Sequence, residues 1–316
     1  MKKISVLVIL LFAMLTATNA QHPINPYFDS KGAVMFETAE LNDAADTLMS
    51  VFHRRDDVVY SRIVYRIIDM RYKQNYQLYF PTRYDDPEYR NLLKVIVDAM
   101  VDGLPVYRKA QDKIKPTFTN QNIIPKSEIP TLFLIDDPTA DYSDDTCHYN
   151  PECSDAMLLH YDSINDKMSF HFYPFEGFVR NQLKYLIQEE IFFDKHYSRL
   201  YSKIIGIAPM QSDKIQSDNP DNLMQAVQES MLFWIAFDEL RPYLAKQYLI
   251  PQQNDTKRVT YDEFFAKKLY TSYLIGDSNM YDRMILSYAK SEQEIKKEQQ
   301  RIFDELLNFE QDLWEY

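Results

Sequence analysis

Two apolar segments separated by a polar linker constrain the fold of this chain more than any other feature. Leu200 to Ala208 alternates loosely and then becomes wholly apolar, while Met231 to Phe237 is a nearly continuous apolar run. Both are short enough for strands buried on at least one face, and we expect Pro209 and Pro242 to end them. The linker, Gln211 to Gln228, is polar and predicts a solvated loop. The pair therefore predicts the centre of a sheet.

The first twenty residues have the features of a secretory signal peptide. Two lysines precede an apolar run from Ile4 to Leu15, and the small residue Ala20 closes the segment, so cleavage is expected between Ala20 and Gln21. The run is too short to span a bilayer. It holds no cysteine, which argues against attachment of the mature protein to lipid. We therefore expect an exported protein.

The amino-acid composition limits the kinds of molecule that the protein is expected to bind. Of the 316 residues, 47 are acidic and 35 are lysine or arginine, which gives a net charge of −12. Loss of the signal segment would remove two lysines and no acid, making the charge more negative still. This balance argues against binding to nucleic acid or to anionic membrane surfaces. A hydrophobic fraction of 46% is enough for a sizeable core.

The two cysteines, Cys147 and Cys153, lie six residues apart in CHYNPEC, within an acidic surface insertion predicted over 136–155. In an oxidising compartment we expect them to form a small-loop disulfide. A metal site with His148 and His160 is an alternative, although the spacing matches no usual zinc pattern, and free thiols are the third possibility.

The simplest organisation is a single α+β domain over residues 56–316, with a mixed or antiparallel central sheet, flanking helices and a long C-terminal helical region. An extension over 21–55 precedes it. Within this extension, Thr38 to Phe52 predicts a short amphipathic helix, since Leu41, Leu48 and Phe52 fall at near-helical spacings. This helix either packs on the chain's own core or reaches a partner, and those three residues are the candidate partner-binding positions.

Several further elements are predicted from local patterns. Asp57 to Arg71 fits one face of a helix, with a strand as the alternative because of its β-branched residues. Next we expect an extended piece over Leu78–Pro81, a helix that begins at Asp86-Pro87 and ends at Gly103, and a loop over Tyr107–Lys126. A strand is predicted over Thr131–Ile135. Two hairpins follow, one formed by Met157–Tyr161 and Met168–Tyr173 and one that turns at Phe193–Lys195.

Helices dominate the C-terminal part. Tyr261 to Leu274 predicts a helix that Thr260 caps. Ser291 and Glu294 form a capping box that opens a long charged helix with a narrow apolar stripe: Ile295, Ile302, Leu306, Phe309 and Leu313. This stripe either packs on the body of the protein or pairs with another chain.

A search for catalytic motifs excludes the common classes. The five glycines are scattered, so no phosphate-cradling loop exists. Neither a GxSxG elbow nor an HExxH zinc motif is present. We expect no cofactor, no metal and no catalytic residue.

Paired carboxylates are the best remaining candidates for chemistry. Glu189-Glu190 with Asp194, and Asp238-Glu239, have the residue types of an acid and base pair. An acidic chain produces such pairs by chance, however, and Arg241 is a natural ion-pair partner for the second pair. An exported hydrolase or a glycan-binding module is therefore kept as the alternative to a structural role.

The ordered segments of the chain resemble the gliding-motility protein N family, GldN/PorN. The resemblance covers nearly the whole of the chain after the signal segment and is weakest over 107–177. Seven segments carry it: DVVYSRIVYRIIDMR from Asp57, EEIFFDK from Glu189, IGIAPM from Ile205, LFWIAFDELRP from Leu232, YDEFFAKKLYTSYL from Tyr261, SNMYDR from Ser278 and LNFEQDLWEY from Leu307.

The resemblance implies a non-enzymatic structural role in the type IX secretion system of Bacteroidetes. The expected partners are the outer-membrane lipoprotein called gliding-motility protein K (PorK), the periplasmic parts of the motor proteins L and M, and further copies of the chain in a ring. The expected location is the periplasm, at the outer membrane through the lipoprotein, and the expected roles are protein secretion and, in gliding species, motility.

Overall fold

The computed structural model of the protein describes residues 53–82, 89–109, 116, 118–133, 159–170, 179, 183–214, 227–251, 259–280 and 283–312. The predicted N-terminal helix, the signal segment and the cysteine-bearing insertion lie outside these residues, as do positions 215–226 of the predicted linker.

A curled antiparallel sheet forms the centre of the described structure and confirms the α+β prediction. Its strands follow the order β6-β5-β4-β1-β8, with β7 pairing β5 beside β6. The bounds are β1 Val58–Asp69, β4 Lys184–Asp194, β5 Arg199–Lys214, β6 Val227–Met231, β7 Ile235–Ala236 and β8 Ser272–Asp277, and a separate hairpin comprises β2 Leu159–Asp162 and β3 Lys167–Phe170.

Six α-helices accompany the sheet in the described ranges: α1 Tyr76–Tyr79, α2 Leu92–Val101, α3 Phe237–Ala245, α4 Tyr261–Ala266, α5 Ile285–Tyr288 and α6 Glu292–Asp312. Short 3-10 helices occur at Arg55–Asp57, Lys73–Asn75, Asn120–Asn122 and Ile129–Phe133.

The sheet has an apolar core on each face, because neighbouring residues of a strand point to opposite sides. On one face, Ile68 and Ile187 belong to a large core with buried residues of α2, α3 and α4. On the other face, Ile67 packs in a second core with Tyr107 and Trp234. A third, smaller core joins α6 to the first face, and its buried members are Val64, Leu274, Ile285, Ala289, Ile302 and Leu306.

The helical interpretation of Asp57 to Arg71 is wrong, and its strand alternative is right. Val64 and Ile68 share a helical face, but two residues four apart also lie on the same side of a strand. Pairing decides between the two, since β1 hydrogen-bonds to β4 along one edge and to β8 along the other. The spacing of apolar residues here fits both a helix and a strand, and pairing with strands distant in the sequence selects the strand.

The prediction that two prolines end the central strands is also wrong. Pro209 lies inside β5, at a gap on one edge between the residues that pair with β7 and those that pair with β6. Its missing N–H therefore breaks no ladder bond, and its carbonyl accepts a 3.0 Å bond from Leu232 N. Pro242 lies inside α3, and the Met231 to Phe237 run is divided among β6, a break, β7 and the first residue of α3.

Other boundaries differ from the predictions. The Leu78 to Pro81 piece overlaps the single turn of α1, and Thr131 to Phe133 lie in a 3-10 helix instead of a strand. The helix predicted from Asp86-Pro87 begins at Leu92, where the Asn91 side chain accepts from Lys94 N at 2.8 Å. The predicted helix from Tyr261 to Leu274 stops at Ala266, and the chain then enters β8.

Local signals that depend on hydrogen-bonding side chains or tight turns are confirmed. Thr260 caps α4 by accepting from Glu263 N at 3.2 Å. At the start of α6, Ser291 Oγ accepts from Glu294 N at 3.2 Å and the Glu294 carboxylate accepts from Ser291 N at 3.2 Å. Both predicted hairpins, β2-β3 and β4-β5, form antiparallel pairs. Gly103, with φ of 106°, follows the last turn of α2.

Candidate interaction surfaces

A buried carboxylate lies at the border between the large core and the smaller core under α6. Glu189, on β4, is 2% exposed. Its Oε2 accepts from Arg66 Nε at 3.0 Å, and its Oε1 pairs with Lys268 and accepts from the Ser202 hydroxyl. Four elements of the chain therefore meet at one charge.

Electrostatics keep this carboxylate ionised. Burial alone would raise the pKa of Glu189, but the positive charges of Lys268 and Arg66 outweigh burial and hold that pKa below its usual value. Burial and the negative charge of Glu189 raise the pKa of Tyr270. Its buried hydroxyl has no hydrogen-bond partner among the residues that the structure describes. The arrangement is that of a fully paired structural ion, not of a proton donor poised near neutral pH.

A second, partly buried ion pair ties β5 to the start of α3. Lys203 Nζ lies 2.7 Å from an oxygen of Asp238. Burial raises the pKa of Asp238 despite the nearby lysine, and burial likewise lowers the pKa of Lys203. Further along α3, Arg241 Nε donates to Asp262 at 2.7 Å. The sequence suggested Asp238 or Glu239 as the ion-pair partner of Arg241, whereas the structure pairs Arg241 with Asp262, on α4.

The structure does not bring the predicted carboxylate pairs together as an acid and base. Glu189 and Glu190 point to opposite faces of β4, and Glu190 accepts from the Ser61 hydroxyl on the far side. Asp194 is buried against His53, with 2.5 Å between His53 Nδ1 and its carboxylate. Glu239 accepts from the Tyr107 hydroxyl at 3.4 Å. Each carboxylate has its own partner in the fold.

A groove opens beside the Glu189 cluster, between the edge strand β8 and α6. Its volume is about 390 Å³. The described residues that line it are Arg66, Leu274, Lys296, Gln299, Gln300, Phe303 and Leu306. Three of these side chains are apolar, two are glutamines and two are cationic. Both cations have a carboxylate partner, since Arg66 pairs with Glu189 and Lys296 with Glu292.

The outer side of α6 adds exposed apolar surface next to the groove. Ile302 and Leu306 face the body and are buried, which accounts for the stripe that the sequence predicted. Phe303 and Leu307, one turn apart, are 48% and 38% exposed. The helix therefore packs on the body with one stripe and presents a second one to the surroundings.

A match to a protein-family model shows the family of the chain. The model described as "Gliding motility associated protein GldN" matches residues 53–315. The chain belongs to the GldN family. A search of curated proteins found no match.

Membership of the GldN family confirms the resemblance drawn from the seven ordered segments. It makes the protein a component of the gliding-motility and type IX secretion machinery. The family is a structural one and is not a known enzyme family. The paired ions around Glu189 are consistent with such a role, since they join β1, β4, β5 and the turn after α4.

Seven candidate residues of this GldN-family protein lie outside the described residues, so their roles stay predictions: Ala20, Gln21, Leu41, Leu48, Phe52, Cys147 and Cys153. The described residues contain no group of histidine, cysteine and carboxylate side chains suited to a metal, and no described helix is both long and apolar enough to cross a membrane.

Sequence reasoning missed the groove and the partners of Glu189. Arg66 precedes Glu189 by 123 positions, and β5, β6 and β7 separate Glu189 from Lys268 in the described sequence. The sequence carries no signal for a pairing at that distance. The exposed pair Phe303 and Leu307 was visible in principle, because both lie off the buried stripe of a helix that the sequence did predict.

Proposed function

We propose that this chain is a non-enzymatic structural subunit of a periplasmic ring in the type IX secretion system. In this role it binds the outer-membrane lipoprotein gliding-motility protein K (PorK), contacts copies of itself, and meets the periplasmic parts of the motor proteins L and M. The family match over 53–315 carries the proposal.

The location follows from the same role. The N-terminal segment has the features of a signal peptide, which supports export of the protein to the periplasm. The lipoprotein partner supplies attachment to the outer membrane. A net charge of −12 gives the protein little affinity for an anionic lipid surface, which favours attachment through a protein.

The structure supports a scaffold in two ways. Its most deeply buried charges are used to join strands and helices, as at Glu189 and at Asp262, which pairs with Arg241. Among its exposed apolar side chains, Phe303 and Leu307 lie together on α6 and offer contact area to another protein. A subunit that must hold its shape between several partners needs both features.

Purification of the tagged protein from gently solubilised outer membranes tests this role. We expect a lipoprotein to co-elute and negative-stain electron microscopy of the eluate to show ring-shaped particles. A lone monomer under gentle conditions would contradict the proposal. Turnover of peptides or glycans by the purified protein, abolished by Glu189→Gln, would instead indicate an enzyme.

A further inference from the structure

We propose that a surface at one end of the sheet, formed by Arg54, Tyr197 and Arg199, binds the outer side of α6 in a second copy of this chain. This contact rests on the proposed function and deepens it, because a ring needs one surface of a subunit to meet a different surface of the next. The first surface is called the arginine patch below.

Short contacts bring the two parts of the arginine patch together. Lys195 N, in the turn between β4 and β5, donates to the carbonyl of Asp57 at 2.9 Å, and Asp57 N donates to the carbonyl of Arg54 at 3.0 Å. The ring of Tyr197 lies 5.6 Å from the ring of His53, the residue before Arg54. The segment at Arg54 and the turn at Tyr197 therefore share one surface.

The two arginines of the patch carry charge that the described part of the chain does not neutralise. Arg54 and Arg199 are exposed, and within the described residues neither forms an ion pair. Other exposed arginines, such as Arg90 and Arg108, do have a carboxylate partner. Tyr197, 42% exposed, lies between the arginines. Arginine and tyrosine are among the residue types that contribute most to the energy of protein interfaces.

Most of the acidic residues next to the patch are already used by the fold. Asp194 is buried against His53, and Asp57 lies 3.7 Å from Lys195. This leaves Asp56 as the acid beside two exposed arginines. The patch is therefore positive in a chain whose net charge is −12, and an acidic surface is the partner that it fits.

The outer side of α6 offers a carboxylate next to two exposed apolar side chains. Phe303 and Leu307 are 48% and 38% exposed. Because successive residues of a helix are separated by about 100°, Asp304 lies about 60° from Leu307 and about 100° from Phe303. These three residues form the outer face of α6.

Asp304 points away from the body of its own subunit. The buried residues Ile302 and Leu306 are each two positions from it, which places them on the opposite side of the helix. Gln300 Nε2 donates to the Asp304 carboxylate at 2.7 Å, and within the described residues no cation pairs with it. A carboxylate with only a neutral partner can accept from a guanidinium, while Tyr197 packs on Phe303 and Leu307.

The two surfaces lie on opposite faces of the sheet, so the sheet separates them within one copy. Arg199 and Tyr201 are two apart in β5 and lie on the same side of it, and Tyr201 packs against the second core. The outer face of α6 lies over the other face, where α6 covers Val64. A contact between them joins different surfaces of two copies, and such contacts continue from copy to copy and close into a ring.

Photo-crosslinking in the full-length mature protein tests the inference. We would place p-benzoylphenylalanine at position 197, mix light and heavy-isotope copies, irradiate, and identify cross-linked peptides by mass spectrometry. We expect peptides of α6 that contain Phe303 or Leu307, with light and heavy chains joined. Cross-links confined within one chain, cross-links to other segments, or no cross-link would each overturn the proposal.

A charge reversal with a matched control sharpens the test. Arg199→Glu should lower the cross-link yield about tenfold, because it places a carboxylate against Asp304. Arg90→Glu makes the same change at an exposed position outside both surfaces and should change the yield by less than about twofold. Circular dichroism checks that both variants are folded.

A compensating reversal identifies the partner residue. Asp304→Arg alone should also lower the cross-link yield, and Asp304→Arg combined with Arg199→Glu should restore it. Equal losses for Arg199→Glu and Arg90→Glu, or no recovery in the double variant, would contradict the assigned contact.

The two proposals fail separately. Absence of the cross-link with unchanged co-purification of the lipoprotein would reject this contact and leave the ring role standing. A protein that co-purifies with no lipoprotein yet still cross-links between copies would reject the ring role and leave the contact.

Discussion

The same face of the sheet is covered in two different ways. Over β4 and β5, helices α2, α3 and α4 enclose a large core whose members include Phe265 and Leu240, each at most 1% exposed. Over β1 and β8, α6 and the short helix α5 close a small core, and a groove remains beside α6. The Glu189 cluster marks the border between them.

This difference assigns separate tasks to the two halves. Stability scales with apolar area removed from water, so the large core should carry most of it. The α6 side buries a narrow stripe and keeps Phe303 and Leu307 available for contact. The family fold thus holds its shape at one end and offers surface at the other.

The largest effect should come from opening the large core. Phe265→Ala removes a ring that is 1% exposed and should lower the free energy of unfolding by about 4 kcal/mol. Phe303→Ala, the same substitution at a half-exposed site on α6, should cost under about 1 kcal/mol. Urea denaturation followed by circular dichroism measures both. Equal losses of unfolding free energy for the two variants would show that the large core and the α6 side contribute equally to stability.

The next largest loss of stability should come from substitution of Glu189, at the border between the two cores. Glu189→Gln leaves Arg66 and Lys268 without their buried counter-charge and should destabilise the fold by about 3 kcal/mol. The adjacent Glu190→Gln is the matched control, since Glu190 points to the other face and is less deeply buried. Its cost should stay below about 1 kcal/mol. Similar costs for the two variants would mean that the cluster contributes little to stability.

The fold class was predictable because it depends on local patterns. The two hairpins, the helix cap at Thr260 and the capping box at Ser291 follow from nearby residues, and the structure confirms them. The secondary structure of β1 was not predictable in this way. Its residues satisfy both helical and strand spacing, and only pairing with β4 and β8, distant in sequence, selects the strand.

The candidate surfaces were less predictable than the fold. The sequence identified Glu189 and Glu190 as a pair, but a one-residue step along a strand sends them to opposite faces, which no composition argument reveals unless the strand is assigned first. The groove depends on Arg66 from β1 meeting α6 near the C-terminus, and such a juxtaposition exists only in three dimensions.

Acidification should reduce the contribution that the Glu189 cluster makes to the free energy of unfolding. The folded-state pKa of Glu189 is lowered, so its ionised form stabilises the fold above the unfolded value and that contribution disappears as the pH falls through the folded value. The penalty of Glu189→Gln should therefore be full near pH 7 and shrink below about pH 4.5. Unfolding free energies of the two proteins, measured from pH 7 to pH 3, check this. A penalty that stays constant would show that the carboxylate acts through packing alone.

The smallest effect should come from the cap of α6. Ser291→Ala removes the hydroxyl that accepts from Glu294 N, and should cost about 1 kcal/mol. Because α6 rests on a narrow stripe, this loss should appear as faster amide hydrogen exchange within α6, with little change in α2 and α3. Thr260→Ala, which removes the equivalent cap of α4, is the matched control: α4 is enclosed by the large core, so exchange should rise there only with global unfolding. If the two variants instead raise amide exchange in the same way, both only within the capped helix or both only through global unfolding, then α6 opens no more independently than the helices over the large core. That outcome would contradict the difference between the two regions.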